Sequence, residues 1–311
     1  MSSISHAARE AVSAAPRRRR RLGRSEWIGL LYVAPAVALV AVFFVAPLVM
    51  TAFMSLHNWP LMGEHRFIGF DNYVAAWKDI RFWRAMNFTI YYTLIVTVAI
   101  FAVAFPLALF VETPRRFNGF YRTAYFLPVV VGFASASLLW VWLLNVDAGL
   151  FSPAAVALGI TPKKVNLLAD FDLAFWSVIV MVVWKVAGFT MVILMTGLQS
   201  IPAELSEAAK IDGAGAFSRF RLITLPMMRR TIALALILSV AGSMLAFDQF
   251  YIILAGGPRN QTITAVYWIF SQSFVSFKLG YGAALSMVLL VILVVLSLVQ
   301  LRLLRNPEGL E

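Results

Sequence analysis

The chain has 311 residues, of which 61% are hydrophobic and only 13% are charged. Soluble domains have about 45–50% apolar and about 25% charged residues, so this composition excludes an ordinary soluble domain and predicts an integral membrane protein. The sequence contains no cysteine, which excludes disulfides and thiolate metal sites. The three histidines, His6, His57 and His65, are not spaced as ligands on one helix face, so no metal site is expected.

Much of the formal charge of +11 precedes the first apolar segment, in the run Arg17–Arg21. Such a run is typical of an orientation signal that contacts anionic lipid, and nucleic-acid binding is the alternative. The apolar stretch that follows, about Trp27–Met54, is far longer than the roughly 7–15 residues of a signal-peptide core, and no cleavage site closes it. We therefore expect a basic tail over residues 1–26 that contacts membrane lipid and not nucleic acid, followed by an uncleaved transmembrane helix.

Six stretches are long and apolar enough to cross a bilayer, which takes about 20 residues of α-helix. They are approximately Ile28–Leu56, Phe88–Val111, Thr123–Leu144, Leu173–Leu198, Thr231–Leu254 and Tyr281–Leu304. In the third stretch, Pro128 and Gly132 predict a kink rather than a break, because membrane helices tolerate both residue types. The predicted fold is an all-α integral membrane protein with six transmembrane helices over residues 27–304 and a short tail at 305–311.

Positive charge is unequal between the two faces. Seventeen Lys and Arg residues lie at the termini, with Arg302 near the end of the last stretch included, and in the loops 112–122 and 199–230, against eight in 57–87, 145–172 and 255–280. Cytoplasmic loops carry the excess of Lys and Arg. We therefore expect a multi-pass membrane protein with both termini and the loop 200–226 in the cytoplasm.

The loop 200–226 is the longest charged interruption of the apolar sequence. Pro202 suits a helix N-terminus, and Glu204 and Glu207 would lie near the positive end of that helix dipole. Gly213 predicts a stop between two short helices, about Ala203–Ile211 and Ala214–Leu222. We expect Leu225-Pro226 to end the second helix, which gives a helix–turn–helix; an ordinary surface loop is the alternative.

The spacing in this loop resembles a known motif. Glu207-Ala208-Ala209, three residues, Gly213, nine residues, Ile223, one residue and Leu225-Pro226 resemble the EAA loop of bacterial ABC importer permeases. The segments Gly197–Pro202 and Ile211–Ala214, together with Phe247-Asp248 and Gly256-Gly257-Pro258, resemble the maltose-type and glycerol-3-phosphate-type branch. The resemblance covers about Trp27 to Leu304 and implies the fold of a type I importer permease.

The resemblance also implies partners and a coupling role. The loop would dock in a cleft of an ATPase subunit, with Glu207 paired to a basic residue while Ala208, Ala209 and Gly213 keep the helix slender. The residues expected in this contact are Glu204, Glu207, Ala208, Ala209, Asp212, Gly213, Phe217, Leu225 and Pro226. The implied assembly has a second homologous permease, two ATP-binding subunits and an extracytoplasmic solute-binding lipoprotein.

The chain lacks the motif that would let it bind ATP itself. A P-loop ends in Gly-Lys-Ser/Thr, and glycine precedes none of the six lysines. We expect no cofactor and no catalytic residue here, with ATP and Mg²⁺ bound by the separate ATPase.

Two ionisable residues are predicted to lie within spans: Lys185 near the middle of the fourth, and Asp248 well inside the fifth. Ionisable groups at bilayer depth are costly, so each should face a polar interior or a partner. They would either contact a polar solute or pair with each other or with the partner permease. The candidate solute path comprises Asp248, Gln249, Tyr251, Trp184, Lys185, Trp140 and Asn145.

These observations favour a transport subunit that imports a sugar, a polyol or a glycerol-phosphate-like solute by alternating access. An intramembrane enzyme is the first alternative, but Asp248 is a lone carboxylate and no nucleophile–base pair is evident. A self-sufficient secondary transporter is the second, but no inverted repeat is visible.

Overall fold

The structure is a computed structural model that describes residues 24–112 and 116–304, with the side chains of 31–112 and 116–303. The predicted tail 305–311 lies outside these residues, as does the predicted tail 1–26 up to residue 23. The chain forms two compact units, Met1–Thr51 and Ala52–Glu311.

The N-terminal part of the described chain is helical and apolar. Helix α1 (Arg24–Val40) continues through a π-helical turn (Ala41–Val45) into α2 (Ala46–Ser55). All of residues 31–50 are exposed in this single chain. An apolar helix exposed all round is stable against lipid or a partner chain and not against water.

The second unit holds a short hairpin and the remaining helices. Strand β1 (His57–Asn58) pairs antiparallel with β2 (Arg66–Phe67). The helices are α3 (Asp71–Lys78), α4 (Ile80–Glu112), α5 (Asn118–Val130), α6 (Phe133–Leu143), α7 (Phe151–Ala157), α8 (Phe171–Gln199), α9 (Ala203–Ile211), α10 (Ala216–Arg219), α11 (Leu225–Met227), α12 (Arg229–Met244), α13 (Ala265–Phe270) and α14 (Leu279–Leu304). Further π-helical turns lie at Phe220–Thr224, Phe250–Leu254 and Ser271–Val275.

The candidate membrane spans agree with the predicted number if two bent pairs each count as one. Among the described residues, four helical segments are long and apolar enough to cross a membrane: Leu31–Ser55, Ile80–Glu112, Phe171–Gln199 and Leu279–Leu303. The bent pairs are Asn118–Val130 with Phe133–Leu143, at 95°, and Ala216–Met227 with Arg229–Met244, at 70°.

Two of the predicted spans differ from the structure. The third is broken and not merely kinked, because Val131 and Gly132 are extended, with ψ of 133° and 149°. The fifth was predicted over Thr231–Leu254, but its helix α12 ends at Met244. Thr264 Oγ1 donates to the carbonyl oxygen of Ala246 at 2.7 Å, so a distant side chain replaces a helical hydrogen bond there.

Helices α4 and α8 pack in parallel and give the second unit two distinct ends. Phe88 and Phe171, near the two N-termini, have ring centroids 6.1 Å apart. Val111 and Leu198, near the two C-termini, belong to one buried cluster. The loop 200–226 therefore follows the C-terminal end of the pair, which we call the loop end. The N-termini of α4 and α8 mark the opposite end.

Asp79 fastens several elements together at this opposite end. Its carboxylate accepts hydrogen bonds from the backbone N–H groups of Arg81 and Phe82, from Trp268 Nε1 at 3.1 Å and from Tyr281 Oη at 2.7 Å. Burial acts to raise the pKa of Asp79, but these hydrogen bonds hold that pKa below its usual value. The junction of α3 and α4 is thereby fixed to α13 and α14.

Candidate functional site

The first helix of the loop 200–226 lies at the predicted residues. Helix α9 follows Pro202 and turns at Gly213, whose φ of +79° favours glycine. The N–H of Ala214 donates to the carbonyl oxygen of Ala209 at 2.8 Å, which closes the helix end in the manner of a Schellman motif. The predicted turn at Gly213 is therefore present and is built from the segment's own backbone.

The second helix of the loop is longer than predicted. It covers Ala216–Met227 and not Ala214–Leu222, and it ends one residue after Leu225-Pro226. The N–H of Leu225 donates to the carbonyl oxygen of Phe220 across a π-helical turn. Pro226 then lies in the first turn of α11, where its missing N–H costs little.

Two contacts that the sequence analysis missed hold this helix pair in place. Arg219 Nη1 donates to the carbonyl oxygen of Ala214 at 2.8 Å, which ties the second helix to the turn. The ring of Phe220 packs edge-on against Phe105 of α4 at 5.5 Å. The only sequence signal for Arg219 was a cation at the end of a short helix.

The outer surface of the helix pair is exposed and partly apolar. Glu204, Glu207 and Ala208 are exposed, as are Asp212, Gly213 and Pro226, while Ala209 is half-buried. Ile211, Phe217 and Leu222 are 87%, 75% and 71% exposed, and Leu225 is 40% exposed. Large apolar side chains beside carboxylates on one surface indicate a protein-binding face.

Lys185 lies in an environment that the sequence did not predict. It is 4% exposed, and its Nζ donates to the carbonyl oxygens of Pro128, Val129 and Val131 at the break between α5 and α6. Nζ also lies 4.7 Å from the centre of the Phe133 ring. Lys185 therefore holds the end of a broken helix, and among the described residues it forms no ion pair with Asp248.

Asp248 lies in the stretch between α12 and the π-helical turn at Phe250, and not well inside a continuous span. It is half-buried, and it has no hydrogen bond or ion pair to any residue that the structure describes. A carboxylate with this much unused acceptor capacity can accept hydrogen bonds from solute hydroxyls.

Gln249 and Tyr251, on either side of Phe250, have different environments. Gln249 is 4% exposed, and its Nε2 donates to Tyr92 Oη at 3.1 Å, so it is engaged in the core. Tyr251 is 41% exposed and stacks on Phe247 at 5.0 Å with an interplanar angle of 18°. The ring centroids of Tyr267 and Phe270 lie 5.2 and 5.3 Å from that of Tyr251, both in edge-on geometry. This aromatic group beside Asp248 was not predicted as a whole.

The remaining candidates for the solute path, Trp140, Trp184 and Asn145, also differ in how accessible they are. Trp140 is buried and lies 5.9 Å from Trp184, which is 39% exposed. Asn145 is exposed, and its Oδ1 accepts from the N–H groups of Asp147 and Ala148. It therefore forms a local turn after α6. The structure leaves Asp248, Tyr251 and Trp184 as accessible candidates.

Within residues 24–112 and 116–304, no group of three or more His, Cys, Asp or Glu residues could hold a metal ion.

The family described as the binding-protein-dependent transport system inner membrane component matches residues 73–306. The chain belongs to this family. It is thus a membrane permease component of a transport system and not an enzyme, and the predicted membership of the ABC importer permeases is confirmed.

Two relatives of this permease are similar along nearly their whole length. The lactose transport system permease protein LacF of Rhizobium radiobacter is 32% identical over 279 residues, which cover 88% of this chain and 92% of LacF. The sn-glycerol-3-phosphate transport system permease protein UgpA of Escherichia coli O157:H7 is 33% identical over 287 residues, or 91% and 96% of the two chains.

A solved structure confirms the predicted fold class of this permease. A chain of a bacterial ABC transporter involved in the import of the acidic polysaccharide alginate superposes with a TM-score of 0.78. The match covers 92% of this permease and 98% of that chain at 20% identity. At that identity the likeness bears on the fold alone.

Proposed function

We propose that this permease forms half of the membrane channel of an ATP-driven importer for a sugar or a related polyol or glycerol-phosphate-like solute. A second homologous permease would form the other half. Two ATPase subunits and an extracytoplasmic solute-binding lipoprotein would complete the assembly. The observation that carries this proposal is the similarity, over about nine-tenths of the chain, to permeases named for lactose and glycerol-3-phosphate transport.

The loop 200–226 would be the contact with the ATPases. Its two helices present Glu204, Glu207 and exposed apolar side chains at the loop end. Phe220 packs the pair against α4, and Arg219 ties the second helix to the turn. A rigid, exposed helix pair can transmit the movement of a bound ATPase to the transmembrane helices, whereas a flexible loop would absorb that movement. ATP and Mg²⁺ would bind in the ATPase, because this chain has no P-loop.

The loop end would face the cytoplasm of the bacterium. Its loops, with the two termini, carry seventeen Lys and Arg residues, against eight on the other face. The opposite end would face outwards and receive the binding protein. The body 27–304 would then be a six-span permease domain with cytoplasmic tails at 1–26 and 305–311.

Solute would pass close to Asp248 and the aromatic rings around Tyr251. A partly exposed carboxylate that accepts hydroxyl hydrogens, beside stacked rings, has the chemistry of a sugar site. Asp248→Ala should therefore lower solute-stimulated ATP hydrolysis about tenfold, the loss typical of a charged hydrogen bond, without releasing the ATPase. Asp172→Ala, at an exposed aspartate in the first turn of α8, should leave turnover unchanged.

Reconstitution tests the proposal directly. The permease would be co-purified with the ATPase and permease encoded beside it and placed in proteoliposomes with ATP on the ATPase side. Uptake of labelled lactose, maltose or glycerol 3-phosphate would be measured with the neighbouring binding protein outside. We expect uptake only with ATP and both permeases. Uptake by this chain alone would instead identify a secondary transporter.

A further inference from the structure

Basic side chains converge at the end of the second unit opposite the loop 200–226. Two cavities of 670 and 720 Å³ lie side by side there, and they share Arg81 and Trp268 in their linings. Of the eight Lys and Arg residues in the segments 57–87, 145–172 and 255–280, five line these cavities. They are Lys78, Arg81, Arg84, Arg259 and Lys278, and we call them the basic patch.

The charge of the basic patch is not balanced within the part of the chain that the structure describes. All five side chains are exposed, and none of them forms an ion pair with a described carboxylate. Among the described residues, Asp79 is the one carboxylate in either lining, and its oxygens already accept four hydrogen bonds, none from a side chain of the patch. A concentration of unpaired cations around two openings attracts anions over a distance of several ångströms.

The loop that presents Arg259 is held in a defined shape. Arg259 and Asn260 have φ of 54° and 59°, a left-handed conformation that side-chain-bearing residues keep only where their surroundings hold them. Thr262 Oγ1 donates to the carbonyl oxygen of Gly257 at 2.6 Å. The N–H of Ala265 donates to Thr89 Oγ1 of α4 at 2.9 Å. The Arg259 side chain is therefore presented from a loop of defined shape.

The other two arginines are also placed by regular structure. Arg81 and Arg84 lie three residues apart near the start of α4, so they share one face of that helix. The Arg81 guanidinium lies 6.0 Å from the centre of the Trp268 ring. Trp268 in turn is bonded to Asp79, so the floor between the two cavities is rigid.

We propose that the basic patch is a docking surface for carboxylate side chains on the extracytoplasmic binding protein of this importer. The inference rests on the proposed function, which gives the permease such a partner. Guanidinium groups bind carboxylates through two parallel hydrogen bonds, which fixes orientation as well as affinity. Five exposed cations spread over two openings exceed what the one anionic group of a small solute can balance, and they match several acidic residues on a protein surface.

The test measures binding of the neighbouring binding protein to the intact importer in phosphatidylcholine nanodiscs by biolayer interferometry. Arg84→Glu and Arg259→Glu should each raise the Kd about tenfold at low salt, mainly through slower association, and the difference should shrink at high salt. The matched control is Lys163→Glu, which makes the same charge change at an exposed lysine outside the patch and should leave the Kd within about twofold.

A compensating charge change on the binding protein would identify the carboxylate that pairs with the basic patch. An Asp→Arg or Glu→Arg change on the binding protein that restores binding to Arg84→Glu, and not to Lys163→Glu, identifies the paired carboxylate. Equal effects of all three permease variants would overturn the docking surface. So would unchanged binding together with loss of phosphatidylglycerol from the purified complex, because the patch would then hold a lipid headgroup.

Solute uptake separates this inference from the proposed function. If the wild-type importer takes up solute with ATP while Arg84→Glu and Arg259→Glu bind the binding protein normally, the docking surface is wrong and the proposed function stands. If the wild-type assembly shows no ATP-driven uptake of any probe, the proposed function itself fails.

Discussion

Two helix interruptions in this permease each contain a glycine, but they differ in which residues form hydrogen bonds with their backbone groups. At Gly213 the turn between α9 and α10 is closed by neighbouring residues, with Ala214 N–H bonded to Ala209 and Arg219 bonded to Ala214. At the break over Val131 and Gly132, the carbonyl groups of Pro128, Val129 and Val131 accept hydrogen bonds from Lys185, which lies more than fifty residues further along the chain. The first interruption is local and exposed, and the second depends on tertiary packing.

The difference shows how position in a membrane protein decides what a charged residue does. Within a bilayer no water can reach the carbonyl groups at a helix break, so the protein must supply a donor. Lys185 has three hydrogens to donate and a long stem that reaches the break from α8. At the loop end the exposed Glu207 is not required for the fold, and it is available for a partner.

The largest expected effect is at the loop. Glu207→Lys should abolish ATP-driven uptake and release the ATPase during purification, because it would replace the proposed ion pair with the ATPase by repulsion, at a cost of about 2–5 kcal/mol. The variant should insert in the membrane and unfold at the wild-type temperature, since Glu207 is exposed. Uptake and co-purification of the ATPase are the measurements.

Glu207→Gln serves as the matched change, because it keeps the shape and removes only the charge. It should reduce ATPase retention less than Glu207→Lys does. If transport by Glu207→Lys is unchanged, the assignment of the loop as the coupling element is wrong.

At the break at Val131, in contrast to Glu207, a substitution should lower the stability of the permease itself. Lys185→Met keeps the stem but removes all three donors, so each carbonyl left without a partner should cost about 1–3 kcal/mol. We expect a lower thermal unfolding midpoint in detergent and a lower yield of folded permease. Lys185→Arg can still donate and should fall between Lys185→Met and the wild type.

A different result would assign Lys185 to the solute path. If Lys185→Met unfolds like the wild type and loses only solute-stimulated ATP hydrolysis, Lys185 contacts the solute and does not cap the break.

A smaller effect is expected from the glycine that lets the broken span approach α8. A Cβ atom at Gly188 would collide with the carbonyl oxygen of Tyr125, so Gly188→Ala should destabilise the permease by about 1–3 kcal/mol. Gly242→Ala is the control, because a Cβ atom there meets no atom within 4 Å. That change should be neutral or stabilise α12 by up to about 1 kcal/mol.

Both glycine variants would be followed by thermal unfolding of the purified importer. Equal midpoints for Gly188→Ala and Gly242→Ala would mean that the close contact between α5 and α8 is not essential to the packing.

Some features of the candidate site follow from neighbouring residues and could be predicted, whereas others depend on tertiary contacts. The helix α9 and its stop at Gly213 follow from a proline, two carboxylates and a glycine within twelve residues, so the sequence predicts them. The second helix was predicted too short, because the π-helical turn before Pro226 has no signal in residue type. The environments of Lys185 and Gln249 depend on residues far away in the chain, and neither was predictable.

By itself, the sequence determined the apolar character of the spans, their approximate number, the helix–turn–helix at 200–226 and the membership of a transport family. These properties depend on composition, charge and short-range spacing, which the linear chain carries in full. Only the tertiary structure decided that the third span is broken, that Lys185 caps the break and that five cations from separate segments meet around two cavities. The reason is that hydrogen-bond partners and clustered charges are set by which helices pack together, and the linear order of residues does not contain that information.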